Sequence, residues 1–94
     1  MKLVIVILCA YPGRRRAFAL NVSTEDTLEH IFAYCNDGSG MEHQDWQWAR
    51  VRSLLVGDLV FMDGKWSICA SIGWKDALDE DVKLAMEVPV SGDL

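Results

Sequence analysis

Two patterns of hydrophobic and polar positions divide the chain into strands and helices. Residues 3–10 are almost all aliphatic and rich in Val and Ile, which predicts a strand buried on both faces. A Pro-Gly turn at residues 12–13 leads into residues 17–22, where large apolar side chains occupy every second position. We therefore predict that the chain opens with a β-hairpin.

A helical repeat replaces this alternation after residue 23. An apolar stripe at positions i, i+3, i+4 and i+7 predicts a helix over residues 24–36, and the stripe consists of Leu28, Ile31, Phe32 and Cys35. Ser23 or Thr24 is the expected N-cap, because Ser23 followed by Asp26 resembles a capping box. Residues 36–40, which include two glycines, are expected to end the helix.

A second hairpin is expected after a polar stretch. Residues 41–49 have no sustained period and predict a loop with room for one helical turn. Residues 56–62 and 65–72 are then predicted to be strands on either side of Asp63-Gly64. That pair is typical of a type I′ turn, which needs positive φ at both central residues.

The last element is predicted to be a helix that begins after Asp76 as its cap and stops at Pro89. Its apolar positions are Leu78, Val82, Ala85 and Met86. The order β-β-α-loop-β-β-α predicts one α+β domain over residues 1–94. We expect a small antiparallel sheet, the 24–36 helix packed on it, and an acidic C-terminal segment at residues 76–94.

Charge separates the C-terminal end from the rest of the chain. The chain carries 9 Lys and Arg against 14 Asp and Glu, a net charge of −5. Residues 1–75 are neutral, so the whole surplus lies in residues 76–94. A general nucleic-acid-binding protein needs Lys and Arg that face phosphates. Direct binding to nucleic acid is therefore not expected.

Cysteine usage and hydropathy bear on location. Cys9, Cys35 and Cys69 are odd in number and widely spaced, and each lies in an apolar stretch. This pattern predicts buried, reduced thiols and a cytoplasmic protein. The single Lys and six aliphatic residues near the start are too short for a secretory or lipoprotein leader. No stretch reaches the roughly 18 apolar residues of a membrane span, so no membrane location is expected.

No constellation of residues predicts catalysis, a metal site or a cofactor. His30 and Cys35 are five residues apart on the predicted helix and point about 140° away from each other, so they cannot share a metal ion. The cysteines occupy the interiors of predicted elements, where burial raises the pKa of a thiol. We predict a non-enzymatic protein that needs no cofactor.

The acidic end is the first candidate for contact with a partner. Asp79, Glu80 and Asp81 are consecutive on the predicted helix, and Glu87 lies beyond them. Such a face would bind a basic surface on another protein. The alternative is that these carboxylates only keep the helix in water.

Aromatic and basic residues give two further candidates. Trp46 and Trp48 lie in a polar stretch, where one of them would anchor in a pocket of the partner or cover this protein's own core. Arg14, Arg15 and Arg16 follow the first turn and would project as a basic knob that holds phosphate or an acidic partner. Their alternative role is a solvated edge that blocks strand addition.

One segment resembles a known group of proteins. Its core is Arg52-Ser53-Leu54-Leu55-Val56-Gly57-Asp58-Leu59-Val60, followed by Asp63-Gly64, Cys69 and Gly73-Trp74. It resembles small proteins of unassigned function carried on phages and plasmids, which share an R-S-L-x-V-G-D-x-V core. That group has no assigned activity, so the resemblance implies no catalytic residue. Gly57-Asp58 is a bend before a strand, and Asp58 is expected to accept backbone N–H bonds across it.

The resemblance and the acidic helix together predict an accessory protein of a mobile element that binds another protein, such as an anti-CRISPR-type inhibitor of host defence. Its partner would be a host protein or protein–RNA complex with a groove lined by Lys and Arg. The alternative is a small nucleic-acid-binding or regulatory module that uses residues 14–16, Arg50 and Arg52 with the tryptophans as stacking platforms. An exposed edge strand would also allow a homodimer.

Overall fold

One antiparallel sheet organises residues 1–11 and 13–87, the part of the chain that this computed structural model describes. Its order is β2-β1-β3-β4-β5, and the strands are β1 (Lys2–Leu8), β2 (Arg16–Val22), β3 (Leu59–Met62), β4 (Lys65–Cys69) and β5 (Trp74–Asp76). The helices are α1 (Leu28–Tyr34), α2 (Gln44–Ala49) and α3 (Asp79–Glu87). The predicted α+β class is confirmed. None of these helices is long and apolar enough to span a bilayer.

Both predicted hairpins are present. β1 and β2 pair antiparallel along their full lengths. β3 and β4 pair around Asp63 and Gly64, whose φ values of 55° and 77° are both positive, as a type I′ turn requires. Pro12, which was expected in the first turn, lies outside the described residues.

The sheet has two faces, because successive side chains of a strand point in opposite directions. The inner face consists of Val4, Val6, Leu8, Leu20, Val22, Val60 and Cys69. The outer face consists of Leu3, Ile5, Ile7, Leu59, Phe61, Trp66 and Ile68. Ile31 and Cys35 from the α1 region and Trp46 of α2 complete the inner core. On the outer face, α3 contributes the buried Ala85 and the half-buried Val82.

β1 is less buried than its aliphatic sequence predicts. On the inner face Val4 and Val6 are fully buried. On the outer face Leu3 is 55% exposed, whereas Ile7, which packs in the same cluster as Ala85 of α3, is buried. The expected burial of both faces is therefore wrong at the start of the strand, because α3 packs near its other end.

α1 is shorter than the predicted 24–36 helix. The Ser23 N–H does donate to Asp26 Oδ2 at 3.0 Å, but this contact closes a turn ahead of the helix. The N-cap is Thr27, whose N–H donates to Nδ1 of His30 at 3.0 Å. Phe32, expected in the buried stripe, is exposed. The short helix buries Ile31 fully, and Leu28 and Tyr34 pack half-buried against the same core.

Three boundaries in the second half also differ from the prediction. The expected loop at residues 41–49 contains α2, which begins where the Asp45 N–H donates to Nδ1 of His43 at 2.9 Å. β3 begins at Leu59 and not at residue 56, because the chain turns at Gly57, where φ is 100°. β4 ends at Cys69, and β5 adds a strand that the sequence reading missed.

The last helix starts two residues later than predicted, at Asp79. Asp76 belongs to β5, so it does not cap α3. The Leu78 N–H instead donates to Oδ2 of Asp81 at 3.0 Å, which satisfies a free donor at the start of the helix. Leu78 and Met86, expected on the buried side, are exposed. Residues 88–94, with the predicted stop at Pro89, lie outside the described residues.

Candidate functional site

Asp58 is a fully buried carboxylate immediately before β3. Its Oδ1 accepts the N–H groups of Cys9 and Ala10, both at 2.9 Å. Its Oδ2 accepts the N–H of Leu55 at 2.8 Å. The expected role of Asp58 as an acceptor of backbone N–H bonds is confirmed, and these bonds tie the end of β1 to the segment that precedes β3.

Arg52 compensates the buried charge of Asp58. Its Nη1 donates to Oδ2 at 2.6 Å and its Nη2 to Oδ1 at 2.9 Å, a bidentate pair. This hydrogen bonding raises the pKa of Arg52. The guanidinium also lies 5.0 Å from the ring centre of Tyr11. Arg52 is therefore committed to the fold, which argues against its use as the phosphate contact that the nucleic-acid alternative expected.

Burial governs the chemistry of the three cysteines, all of which are free thiols. It raises the pKa of the Cys35 thiol to about 12. Burial, followed by the nearby charge of Asp58, also raises the pKa of Cys9 and of Cys69. Thiolates are the reactive form of cysteine, so these three environments disfavour a nucleophile at neutral pH.

A cleft of about 390 Å³ separates α3 from part of the sheet. Its lining includes Cys9, Gly57, Leu59, Ile68, Leu84 and Ala85. Arg15 reaches into it from the β1–β2 connection, and its Nη1 donates to the carbonyl oxygen of Ala85. α3 therefore leans on the outer face and does not seal it.

α3 presents a mixed apolar and acidic surface to water. Leu84 is 67% exposed, and Leu78 and Met86 are also mostly exposed. Asp79 and Glu80 are exposed on the same short segment. We call this exposed set the α3 surface, and it consists of Leu78, Asp79, Glu80, Leu84 and Met86. The set extends around the helix: Glu80 and Leu84, four residues apart, share one side, and Asp79 and Met86, seven apart, share the other. Large apolar side chains interspersed with charges are typical of a contact site.

The other two predicted carboxylates differ from this pair. Asp81 is half-buried, caps the Leu78 N–H and lines the cleft, so its charge is partly used within the chain. Glu87 is the last residue of α3, and its side chain lies outside the described residues. The acidic cluster that faces water thus consists of Asp79 and Glu80.

The two tryptophans have opposite environments. Trp46 is 8% exposed within the inner core, and its Nε1 donates to the carbonyl oxygen of Arg52 at 3.3 Å. Trp48 is 73% exposed and borders a shallow depression with Arg50. Residues two apart on a helix do not share a face, so α2 can bury one and not both. Trp46 therefore covers this protein's own core, which was one of the two expected roles, and of the pair only Trp48 is exposed enough to contact a partner.

The three arginines do not form the expected knob. Arg14 and Arg16 are exposed, whereas Arg15 is half-buried and bonded to Ala85 of α3. The middle residue turns toward the outer face because a backbone carbonyl of α3 lies within its reach. A basic surface of three adjacent guanidinium groups is therefore absent from this turn.

Sequence reading missed Leu84 as a surface residue, although it had a signal. Leu84 stands outside the predicted stripe of Leu78, Val82, Ala85 and Met86. An apolar residue on the polar side of an amphipathic helix is a candidate contact residue. Within residues 1–11 and 13–87, no group of three or more His, Cys, Asp and Glu is arranged to hold a metal ion.

Comparison with known proteins assigns no family. A scan against family models, a search of curated proteins and a search of solved structures each gave no match. The geometry of the α3 surface is therefore the basis on which a function is proposed.

Proposed function

We propose that this is a non-enzymatic protein that binds another protein through the α3 surface. The observation that carries the proposal is the exposure of Leu84 beside Glu80 on one side of α3, with Met86 beside Asp79 on the other. The partner that fits is a protein with an apolar groove bordered by Lys and Arg. Such a groove would take up the apolar side chains of a helix while its rim pairs with the carboxylates.

Charge favours a basic partner over a neutral one. The surplus of negative charge in the whole chain lies in residues 76–94, which include α3. A surface of one sign accelerates encounter with the opposite sign, and the effect weakens as salt rises. The exposed leucines would then provide the apolar contact that holds the complex.

The more specific form of the proposal is inhibition of a CRISPR-type complex by a protein of a phage or plasmid. Lys and Arg that hold nucleic-acid phosphates in such a complex would pair with Asp79 and Glu80, so inhibitor and nucleic acid would compete. The resemblance of residues 52–60 to proteins of mobile elements supports this setting. Action in the cytoplasm is part of the proposal, in keeping with three free thiols.

Charge reversal on α3 tests this function. The double variant Asp79→Lys and Glu80→Lys is expected to lose binding to purified CRISPR effector complexes and to stop competing with their nucleic acid. Asp81 is kept because it caps the helix. The matched control is Glu25→Lys with Asp37→Lys, which changes the charge equally at two exposed positions outside α3. Equal binding by both double variants, or binding to no complex in the panel, would refute the specific form.

The apolar half of the surface has its own test. Leu84→Ser is expected to weaken binding about tenfold or more, because removing a buried anchor from an interface costs on the order of 2 kcal/mol. Ile72→Ser is the control, since Ile72 is exposed in the β4–β5 loop and outside the α3 surface. If Leu84→Ser binds as the unmodified chain does, the partner is held by charge alone and the groove is wrong.

A second candidate function depends on Trp48. Its exposed ring beside Arg50, with Gln44 and Gln47 around the same depression, would stack on an unpaired base. Binding of labelled single-stranded oligonucleotides at low salt, lost in Trp48→Ala, would favour this candidate. Absence of binding at low salt would remove it, because electrostatic attraction is strongest there.

A further inference from the structure

β2 forms one edge of the sheet, and its far end is already blocked by side chains of α2 and its cap. The Asn21 N–H donates to Oδ2 of Asp45 at 2.9 Å. The Asn21 carbonyl oxygen lies 2.9 Å from Nε2 of His43. Both backbone groups of Asn21 therefore point away from β1, toward the open side of the strand, and both have partners.

The direction of the Asn21 backbone groups also determines which other residues of β2 point their N–H and C=O groups to the open side. In an antiparallel strand, the N–H and C=O of alternate residues point to the same side. Ala17 and Ala19 therefore direct their backbone groups outward, as Asn21 does, while Phe18 and Leu20 bond to β1. Both alanines are exposed. The edge offers two donors and two acceptors in line.

The opposite edge differs from this one. β5 has three residues, and one of them, Asp76, forms an ion pair with Lys65 at 2.7 Å between Oδ1 and Nζ. A short edge with charged residues is a common protection against strand addition. β2 has seven residues and lacks that protection at its centre.

We propose that β2 pairs antiparallel with β2 of a second copy of this chain. In this register Ala17 of one copy lies opposite Ala19 of the other, and Phe18 lies on the two-fold axis. The two pairs form four backbone hydrogen bonds, since residues that face each other with outward groups exchange both bonds. The result is a continuous ten-stranded sheet with an isologous interface.

The blocked end selects this register over its neighbours. A shift that pairs Ala19 with Ala19 would place Ala17 opposite Asn21, whose backbone groups already have partners. A shift the other way would pair Ala19 with Arg15, which precedes the strand. Asn21 excludes the first shift because its backbone groups are already bonded, and the start of β2 excludes the second. The register that pairs Ala17 with Ala19 is the one that remains.

Charge complementarity identifies a second copy as the occupant. Arg16 begins β2, and Asp45 stands beside Asn21 near the other end of the strand. Antiparallel pairing places Arg16 of each copy opposite Leu20 of the other, one residue from the position that Asp45 caps. Each guanidinium thereby comes within reach of a carboxylate of the other copy, twice by symmetry. A peptide of unrelated sequence would lack this match.

Sedimentation equilibrium of the full chain over a wide concentration range tests the proposal. We expect the average mass to rise from 10.6 kDa toward twice that value. Ala19→Pro removes an outward N–H that bonds nothing within the sheet, and it should weaken dimerisation at least tenfold. Ala19→Val keeps the N–H and is the matched control. A monomer at every concentration, or equal dimerisation of the two variants, would overturn the proposal.

Amide exchange in the unmodified chain gives a reading that needs no variant. The amides of Ala17 and Ala19 should exchange more slowly as concentration rises, while the Asn21 amide, bonded to Asp45, should not change. A dimer that leaves both alanine amides unprotected would contradict the edge pairing.

A charge variant separates this interface from the α3 surface. Asp45→Asn keeps an oxygen for the Asn21 N–H and should weaken the dimer several-fold at low salt. The α3 variant Asp79→Lys with Glu80→Lys should dimerise like the unmodified chain. If the α3 variant alone abolished the dimer, self-association would use α3 and the β2 pairing would be wrong.

Discussion

The inner and outer faces of the sheet are built from similar aliphatic residues but have different cover. Leu20 of β2 is fully buried on the inner face, whereas Leu3 of β1 is 55% exposed on the outer face. α1, α2 and the segment around Leu54 close the inner face, and α3 leans on one part of the outer face. The larger buried core therefore lies on the inner side, and the outer side keeps exposed apolar residues such as Leu3.

The largest loss of stability is expected from a substitution of Asp58, the buried carboxylate next to the inner face. Asp58→Ala would leave Arg52 and three backbone N–H groups without their acceptor. Loss of one partner of a buried ion pair costs about 3–5 kcal/mol. We expect a loss of that size in the free energy of unfolding, measured by urea denaturation. Asp37→Ala, at an exposed site, is the control, and a loss below about 1 kcal/mol for Asp58→Ala would contradict the structure.

The two faces can be compared directly with matched leucines. Leu20→Ala should lower the free energy of unfolding by about 2–5 kcal/mol, because it opens a cavity in the inner core. Leu3→Ala should cost less than about 1 kcal/mol, since its side chain is already mostly in water. Thermal and urea unfolding would measure both. Equal losses would mean that the outer face is covered in solution, as by a partner copy or a different placement of α3.

At neutral pH the smallest effect on stability is expected from the thiol of Cys35 in the inner core, because it acts only in alkaline solution. Its pKa is about 12 when folded and 9.0 is its ordinary value, so the unfolded chain loses this proton first. The stability contribution is fully present below about pH 9 and falls as pH rises toward 12, by about 1.4 kcal/mol per pH unit at most. Urea unfolding at rising pH measures the slope. Cys35→Ala should flatten it, and an unchanged slope would assign the loss to other groups.

Much of the fold could be predicted because turns and local hydrogen bonds depend on residues that are close together in the sequence. The Asp63-Gly64 pair fixed a type I′ turn by its own backbone preference, and both φ values are positive. Asp58 after Gly57 pointed to a backbone acceptor, which it is. Boundaries were less predictable: Ser23 and Asp26 formed their expected contact without starting the helix, because Thr27 provides the cap.

The candidate site was predictable only in part. The carboxylates Asp79 and Glu80 were found because charge is read directly from sequence. Arg15 was expected to project and instead bonds Ala85, which is seventy residues away along the chain. Leu84 is exposed because of where α3 packs on the sheet. A helical repeat in the sequence does not predict that position.

The class of fold, the two hairpins, the acidic end and the role of Asp58 could be predicted from the amino-acid sequence, since each depends on neighbours in the chain or on simple periodicity. Tertiary structure decided which tryptophan is buried, how far α3 covers the outer face, and that Asn21 at the edge of β2 is capped while Ala17 and Ala19 are open. Exposure and pairing at an edge depend on contacts between residues far apart in sequence. For that reason only the folded chain separates the residues that hold it together from those that remain free to bind.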